Sequence, residues 1–212
     1  MAIPPNKHLY TQAFQIASLI ASRLEPHCRR IEIAGSLRRQ RPTIGDIELI
    51  AIAKTYFAAP ANLEEQLAGH GRVCNQLHEH LDTLIREGKI TYHLTSAGAR
   101  CWGDRLRKFT LTTNLGVVYK VDLFMCEEAD WGNTFVIRTG SAEFSHWLVT
   151  QRASGGAMPP NMHHAENRLW RDGQAIGCFE EVDFFTAIGL PYIPPQFRDD
   201  DAWVAYLKSL EM

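Results

Sequence analysis

Apolar positions near the start of the chain change period, from a helical spacing to a strand-like one. Between residues 9 and 25, Phe14, Ile16, Ala17, Leu19, Ile20 and Leu24 recur at helical spacing, and Pro26 ends the run. A strand is expected at 31–34, then a tight Gly35-Ser36 turn, then a second strand reaching about Ala53. In that second strand Ile47, Leu49 and Ala51 alternate with polar residues, so Asp46 and Glu48 share the opposite face. The mixed segment 58–71, with Pro60, reads as loop plus a short helix. Residues 74–87 place Leu77, Leu81, Leu84 and Ile85 on one helical stripe, with Gly88 as the stop. His78 and His80 on that helix are two apart and point away from each other, which favours a solvated face over a metal pair there. Three strands follow, at 90–94, 107–112 and 117–125. In the last, Val117, Tyr119, Val121, Leu123 and Met125 face a core, whereas Val118, Lys120, Asp122 and Phe124 face the other way. Residues 153–162 are rich in breakers and read as a hinge or loop. A hairpin, an amphipathic helix over 180–185, a Gly-Pro stop and a rigid Pro194-Pro195 segment complete the pattern.

The chemistry concentrates where the pattern turns acidic. At a separation of about 4 Å and an effective dielectric of ~20, two carboxylates repel by roughly 4 kcal/mol. Asp46 and Glu48 carry that repulsion on a strand flanked by apolar residues, and a hard cation such as Mg²⁺ offsets it. Just ahead stand a Gly-Ser turn, with backbone N–H groups and a hydroxyl, and the guanidinium forks of Arg38, Arg39 and Arg41. Together they suit a polyphosphate, so metal-assisted handling of a nucleoside triphosphate is the reading. Taken alone, the same residues describe an ordinary turn and a solvated strand face.

Composition changes this picture little. The chain has 212 residues, 45% hydrophobic and 22% charged, as in a soluble globular protein with one sizeable core or a main domain and an appendage. No apolar run is long enough to span a membrane, and the first residues lack a signal-peptide core, so an intracellular, cytoplasmic location is expected. Five cysteines, widely spaced and without a Cys-x-x-Cys pair, read as reduced structural thiols. Net charge is -2, but its distribution is uneven: residues 1–125 carry net +5 and residues 126–212 net -7. The basic clusters at Arg29-Arg30, at Arg38, Arg39 and Arg41, and at Arg100, Arg105, Arg107 and Lys108 suit local contact with nucleic-acid phosphates.

The run Gly35-Ser36-Leu37-Arg38-Arg39, followed by Gly45-Asp46-Ile47-Glu48, resembles the signature of the nucleotidyltransferase superfamily. More narrowly it resembles the family X, DNA polymerase beta-like, group. The resemblance implies that Ser36 and Arg39 hold the triphosphate, with Gly35 forming the turn and Gly45 letting a phosphate approach the backbone. It implies that Asp46 and Glu48 are the first metal ligands, although the polymerases usually carry aspartate at the second position. Lys120-Val121-Asp122 matches the context of the family's third metal-binding aspartate. Three carboxylates on neighbouring strands make a two-cation site, Mg²⁺ with Mn²⁺ as the other choice, geometrically reasonable. Thr139-Gly140-Ser141 survives from the segment that packs under the incoming sugar and base, where Ile137 and Arg138 replace an aromatic pair. As a sequence of turn residues, Thr139-Gly140-Ser141 also suits a helix N-cap. The ending, with Gly189-Leu190-Pro191 and Tyr192-Ile193-Pro194-Pro195 before Arg198, resembles that of bacterial family X polymerases.

The expected fold is therefore α/β (α+β): a nucleotidyltransferase palm with a mixed sheet over residues 1–150, and a small C-terminal closing subdomain over 151–212. The expected reaction is transfer of a nucleoside monophosphate from a (d)NTP to a primer 3′-hydroxyl with release of pyrophosphate, in repair-type short synthesis. Asp46, Glu48 and Asp122 would be catalytic, and Lys120, Arg105, Arg107 and Lys108 would meet primed or gapped DNA, or RNA. A monomer is expected. With eight residues before Leu9, the family's lyase and helix-hairpin-helix segments are expected to be missing, as is a C-terminal phosphoesterase domain. Phe124, Ser145 and Val149 stand where the family places an arginine, an asparagine and an arginine, which bears on template reading. Two other readings share these residues: a transferase of the same fold acting on RNA, protein or a small-molecule hydroxyl, and a catalytically silent nucleic-acid-binding scaffold.

Overall fold

The structure, a computed structural model, describes residues 7–60 and 72–210. A two-residue strand, β1 (His8–Leu9), leads into α1 (Tyr10–Leu24), which buries Ala13, Ala17, Ile20 and Leu24 at the spacing the sequence predicts. Then come β2 (Cys28–Ile33), α2 (Gly35–Arg38), β3 (Thr43–Ile44), β4 (Ile47–Ala53), β5 (Thr55–Ala58) and β6 (Arg72–Asn75). The expected Gly-Ser turn is thus a full helical turn, α2. Residues 61–71 of the expected loop and short helix lie outside the described residues. Helix α3 (Gln76–Arg86) is capped by Asn75, whose side chain accepts from the His78 amide at 3.0 Å. Strands β7 (Thr91–Tyr92), β8 (Leu106–Thr112) and β9 (Val118–Met125) follow.

Five of these strands form one mixed sheet in the order β2-β4-β9-β8-β7. Strands β4 and β9 run parallel, and the other neighbours pair antiparallel. Helices α1 and α3 cover one face, packing Ala13, Ala17, Leu77 and Leu81 against Leu49, Tyr119, Val121, Leu123 and Met125. The alternation read in the sequence therefore holds, except that Val117 precedes β9 and is 39% exposed.

The opposite face is only partly open. Helix α4 (Trp131–Thr139) lies across one end, where Trp131 and Phe135 pack on Ala34, Ile50, Ile52 and Phe124. Farther along that face Asp122 is buried, whereas Lys120 is exposed. Beyond α4, Ser141 caps α5 (Ala142–Val149) by accepting from the Phe144 amide at 3.3 Å. An antiparallel trio follows, β10 (Met162–Ala165), β11 (Arg168–Arg171) and β12 (Gln174–Ile176), one strand more than the expected hairpin. Then come α6 (Glu181–Ile188), ended by Gly189 at φ 73°, and α7 (Ala202–Leu210). A second core unites Val136, Phe144, Leu148, Phe184, Phe185, Ile188 and Trp203. It begins at Val136, ahead of residue 150, because α4 serves both cores: Trp131 and Phe135 face the sheet and Val136 faces the C-terminal part.

The two parts meet at close backbone range. The Gly132 amide donates to the Cys178 carbonyl at 2.7 Å, and a Cβ on Gly132 would lie 2.0 Å from the Glu180 carbonyl oxygen. Gly132→Ala is therefore expected to force α4 away from the segment entering α6, destabilising the fold by about 1–3 kcal/mol or more. Urea unfolding checks this, and an unchanged midpoint would mean that the two backbones separate without cost.

Candidate active site

Sheet register builds the acidic centre. Across the parallel pair, Glu48 stands opposite Asp122, and across β8–β9, Lys108 stands opposite Asp122. The three side chains form a row over β4, β9 and β8 on the partly open face. Asp46 belongs to the bend before β4 rather than to the strand, so the pleat does not set its direction as the sequence alternation predicts. It is still close enough to act on Glu48. Burial pushes the Glu48 carboxyl up to about 7, and the charges of Asp46 and Asp122 add to that rise, against the pull of Arg39 and Arg138. Glu48 also explains Gly35. With φ at +60°, Gly35 takes a left-handed backbone, and a Cβ there would sit 1.7 Å from Glu48 Oε2. Only glycine lets the carboxylate rest on the α2 backbone.

Asp122 is 6% exposed. Its Oδ2 accepts from Lys108 Nζ, while its buried Oδ1 has no partner among the described residues. Burial alone would lower the Lys108 ammonium, but the bond to Asp122 outweighs it and holds the group above its ordinary value. An orphaned carboxylate oxygen beside two further carboxylates is the donor chemistry of a hard divalent cation. As the side chains stand, no three His, Cys, Asp or Glu among the described residues converge closely enough to hold a metal. Ligation of one ion by all three therefore calls on side-chain rotation.

The arginines that follow Ser36 reach across to the C-terminal part. Arg38 forms a two-pronged pair with Glu181 and donates to Thr139 Oγ1 at 2.8 Å. Arg39 Nε lies 3.0 Å from each carboxylate oxygen of Asp199, and its Nη1 donates to the Thr139 carbonyl. Arg41 pairs with Asp200 at 2.9 Å. Ser36 is half-buried on α2, and its carbonyl accepts from the Arg41 amide at 3.0 Å. Gly140, at φ +64°, lies against Arg39: a Cβ there would be 3.1 Å from Nη1. Gly45 has open space around it, with nothing within 4 Å of where a Cβ would stand. Ile137 packs on the second core, and its carbonyl accepts from Ser145 Oγ at 2.8 Å. The Arg138 guanidinium stacks 4.2 Å over the Phe124 ring. Burial lowers its pKa, against the opposing pull of Glu48 and Asp122, so Arg138 faces the carboxylates.

The basic residues read as nucleic-acid contacts separate into distinct environments. Lys120 is exposed on the same strand face as Asp122, two residues before it. Arg105 is exposed and donates to the Glu166 carbonyl at 3.1 Å. Arg107 is 6% exposed and turned toward α3, bonded to Asp82 at 2.7 Å and to the His78 carbonyl at 3.1 Å. Lys108 is engaged by Asp122.

Sequence reasoning missed Asp199 and the Thr139 carbonyl as partners of Arg39, and the Phe124–Arg138 stack. One signal for the first was present. The positive first part and negative second part attract each other directly, through Arg29–Glu128, Arg30–Glu180, Arg38–Glu181, Arg39–Asp199 and Arg41–Asp200. Part of the basic surface is thus neutralised within the chain.

The raised Glu48 pKa carries a pH signature. Between its ordinary value of 4.5 and about 7, the folded chain holds a proton that the unfolded chain has released. Stability therefore falls as pH rises through that window, by about 3 kcal/mol in all. Glu48→Gln is expected to flatten this dependence in metal-free buffer and to be the more stable protein at pH ~8. Denaturant titrations across the window test it, and a variant that keeps the wild-type slope would assign the proton elsewhere.

Residues 134–199 match the family model described as DNA polymerase beta thumb. No curated protein matches the chain. The matched segment runs from α4 through Asp199, the residue that engages Arg39, and covers about a third of the chain. It supports a relationship to the family X-like polymerases.

Proposed function

We propose that this protein is a metal-dependent nucleotidyltransferase of the family X polymerase type: a primer 3′-hydroxyl attacks the α-phosphate of a (d)NTP, the α–β phosphoanhydride bond breaks, and pyrophosphate leaves. The observation that carries the reading is the pairing of Glu48 with Asp122 across parallel strands, beside an arginine row and a thumb-type segment. In this reading Asp46, Glu48 and Asp122 hold Mg²⁺, or Mn²⁺ in its place. When bound, the ion would lower the pKa of the attacking hydroxyl and offset charge on the phosphates. The chain's own residues supply position. Asp122, whose buried Oδ1 has no partner among the described residues, would accept the attacking hydroxyl's proton or share its metal. Arg39 and Ser36 orient the triphosphate, with Gly35 and Gly45 leaving the backbone within its reach. Gly140 and Ile137 line the nucleotide side, and Arg138 sets a guanidinium where the polymerases place a ring against the sugar. Lys120 meets a phosphate of the acceptor strand.

A primer-extension assay with and without template, using dNTP and NTP, tests this function. Asp122→Asn is expected to abolish transfer while leaving the protein folded, since it removes a charge from a repelling cluster. A variant with wild-type turnover would refute the assignment of Asp122.

The Arg39–Asp199 pair makes a second, independent demand. A triphosphate docking on Arg39 competes with the Asp199 carboxylate. Arg39→Ala is expected to weaken nucleotide binding by about 1.5–3 kcal/mol. Asp199→Asn is expected to act oppositely and tighten it. Nucleotide titration by calorimetry separates the two, and loss of affinity in Asp199→Asn would mean that Asp199 aims Arg39 rather than competing for it.

A further inference from the structure

The hairpin formed by β10 and β11 is clamped to α4 by polar groups. Its two-residue turn, Glu166-Asn167, takes left-handed backbone at φ 54° and 65°, as a type I′ connection requires. Ala165 and Arg168 therefore pair directly, with no slack between the strands. Arg168 Nε lies 2.7 and 3.0 Å from the carboxylate oxygens of Asp130, just ahead of α4. The Asn167 side chain donates to Thr134 Oγ1, and the Asn167 carbonyl accepts from Asn133 Nδ2 at 2.6 Å. Asn133 is 1% exposed, and the same Nδ2 lies 3.2 Å from His164 Nε2.

These contacts decide the tautomer of His164. A carbonyl can only accept, so Asn133 must present its NH₂ group to Asn167. Turned over, Asn133 Oδ1 would face that carbonyl; as it stands, Oδ1 has no partner among the described residues. Facing an NH₂ group, His164 Nε2 must accept, and the ring is neutral with its proton on Nδ1. A proton on Nε2 would set donor against donor at a buried amide. The surroundings oppose that proton too. Burial lowers the His164 pKa, and the charges of Arg138 from α4 and of His163 from its own strand lower it further. Of the acids on these elements, Asp130 is taken by Arg168 and Glu166 is exposed, its carbonyl accepting from Arg105.

Arg138 depends on this seating. It lies four residues after Thr134, on the helix face that Asn167 touches. Its guanidinium stacks 4.2 Å over Phe124 and makes no hydrogen bond or ion pair among the described residues, so packing holds it. We propose that neutral His164 is a positioning residue for Arg138: by accepting from Asn133 it seats the hairpin on α4 and keeps the guanidinium facing Glu48 and Asp122, and a proton gained by His164 undoes both. The proposal rests on the transfer reading above, in which Arg138 meets the nucleotide, and adds to it that nucleotide affinity falls as His164 is protonated. Because the folded value is lowered, the seating is complete above the ordinary histidine value of 6.5 and is lost as pH falls through the lower one.

The test is NMR of the isotope-labelled protein between pH ~5 and ~8, following Asn133 Nδ2 and Arg138 Nε together with the His164 ring. His164→Gln keeps an acceptor for Asn133 but gains no proton, whereas His164→Leu has no acceptor. Glu48 contributes a step at about 7 to all three proteins. The wild type is expected to show a second step below 6.5, shared by Asn133, Arg138 and the His164 ring. His164→Gln is expected to lack that step and stay in the seated form, and His164→Leu to hold the unseated form at every pH. A lower step that persists in His164→Gln overturns the proposal, whether or not His164→Leu folds. At pH ~8, dATP with Mg²⁺ is expected to bind about two- to tenfold more weakly to His164→Leu and with wild-type affinity to His164→Gln. Equal affinity in the wild type and His164→Leu also overturns it. The two readings fail separately. A His164-dependent step in a chain that binds no dATP defeats the transferase reading alone, whereas transfer in a wild type without that step defeats the positioning role alone.

Discussion

Glu181 holds the two cores in one arrangement. It is 6% exposed and is gripped by Arg38 from the N-terminal part and by Arg198, fully buried, from the C-terminal part. Burial alone would raise its carboxyl, yet the two guanidiniums outweigh this and hold it below its ordinary value. Arg198 is surrounded by the rings of Phe144, Phe185 and Tyr192 and also donates to the Ile193 carbonyl at 2.8 Å. Removing one partner of such a buried pair typically costs ~3–5 kcal/mol, because the other charge is left stranded. The geometry propagates to the next residue on each side. Arg38 and Arg39 are adjacent, as are Arg198 and Asp199, so the junction at Glu181 sets the register in which Arg39 meets Asp199. The aim of Arg39 is decided by a contact in which it takes no part.

A common electrostatic logic runs through the site. Three charged groups singled out for ligand chemistry are opposed by another charge from the chain: Asp122 by Lys108, Glu48 by Arg39 and Arg138, and Arg39 by Asp199. Binding of a metal and a polyphosphate would therefore be an exchange of counter-charges rather than a neutralisation from nothing. Such an exchange costs less desolvation than ionising bare groups in a buried cleft. It also ties affinity to how readily each internal pair opens.

The mixed sheet, the helices α1 and α3, and the positions of Glu48 and Asp122 were legible in the sequence because period-two and helical spacings act locally. The alternation through Tyr119, Val121, Leu123 and Met125 was enough to turn Asp122 outward. Asp46 escaped that logic, since a bend before β4, not a pleat, places it. Arg107 was read as a phosphate contact, but the strand turns it toward α3, where Asp82 and the Trp102 ring receive it. The partners of Arg39 could not be read from spacing at all: Asp199 is 160 residues away. Only the opposite charges of the two parts of the chain hinted at such pairings. The start of the second core at Val136 was hidden because α4 presents apolar residues to two surfaces at once.

The parallel pairing of β4 with β9 has a consequence for how the site is inherited and how it fails. Glu48 meets Asp122 through hydrogen-bond register, so the intervening chain can lengthen or shorten in its loops without moving either carboxylate. Errors within the strands are treated differently. A slip of one residue in β9 would carry Asp122 into the apolar layer and set Val121 or Leu123 opposite Lys108. The acidic centre thus exists in only one alignment of the sheet, with no intermediate, weaker version. Its assembly waits on the slow closure of a long loop between two strands distant in sequence, and any partly paired precursor is chemically blank.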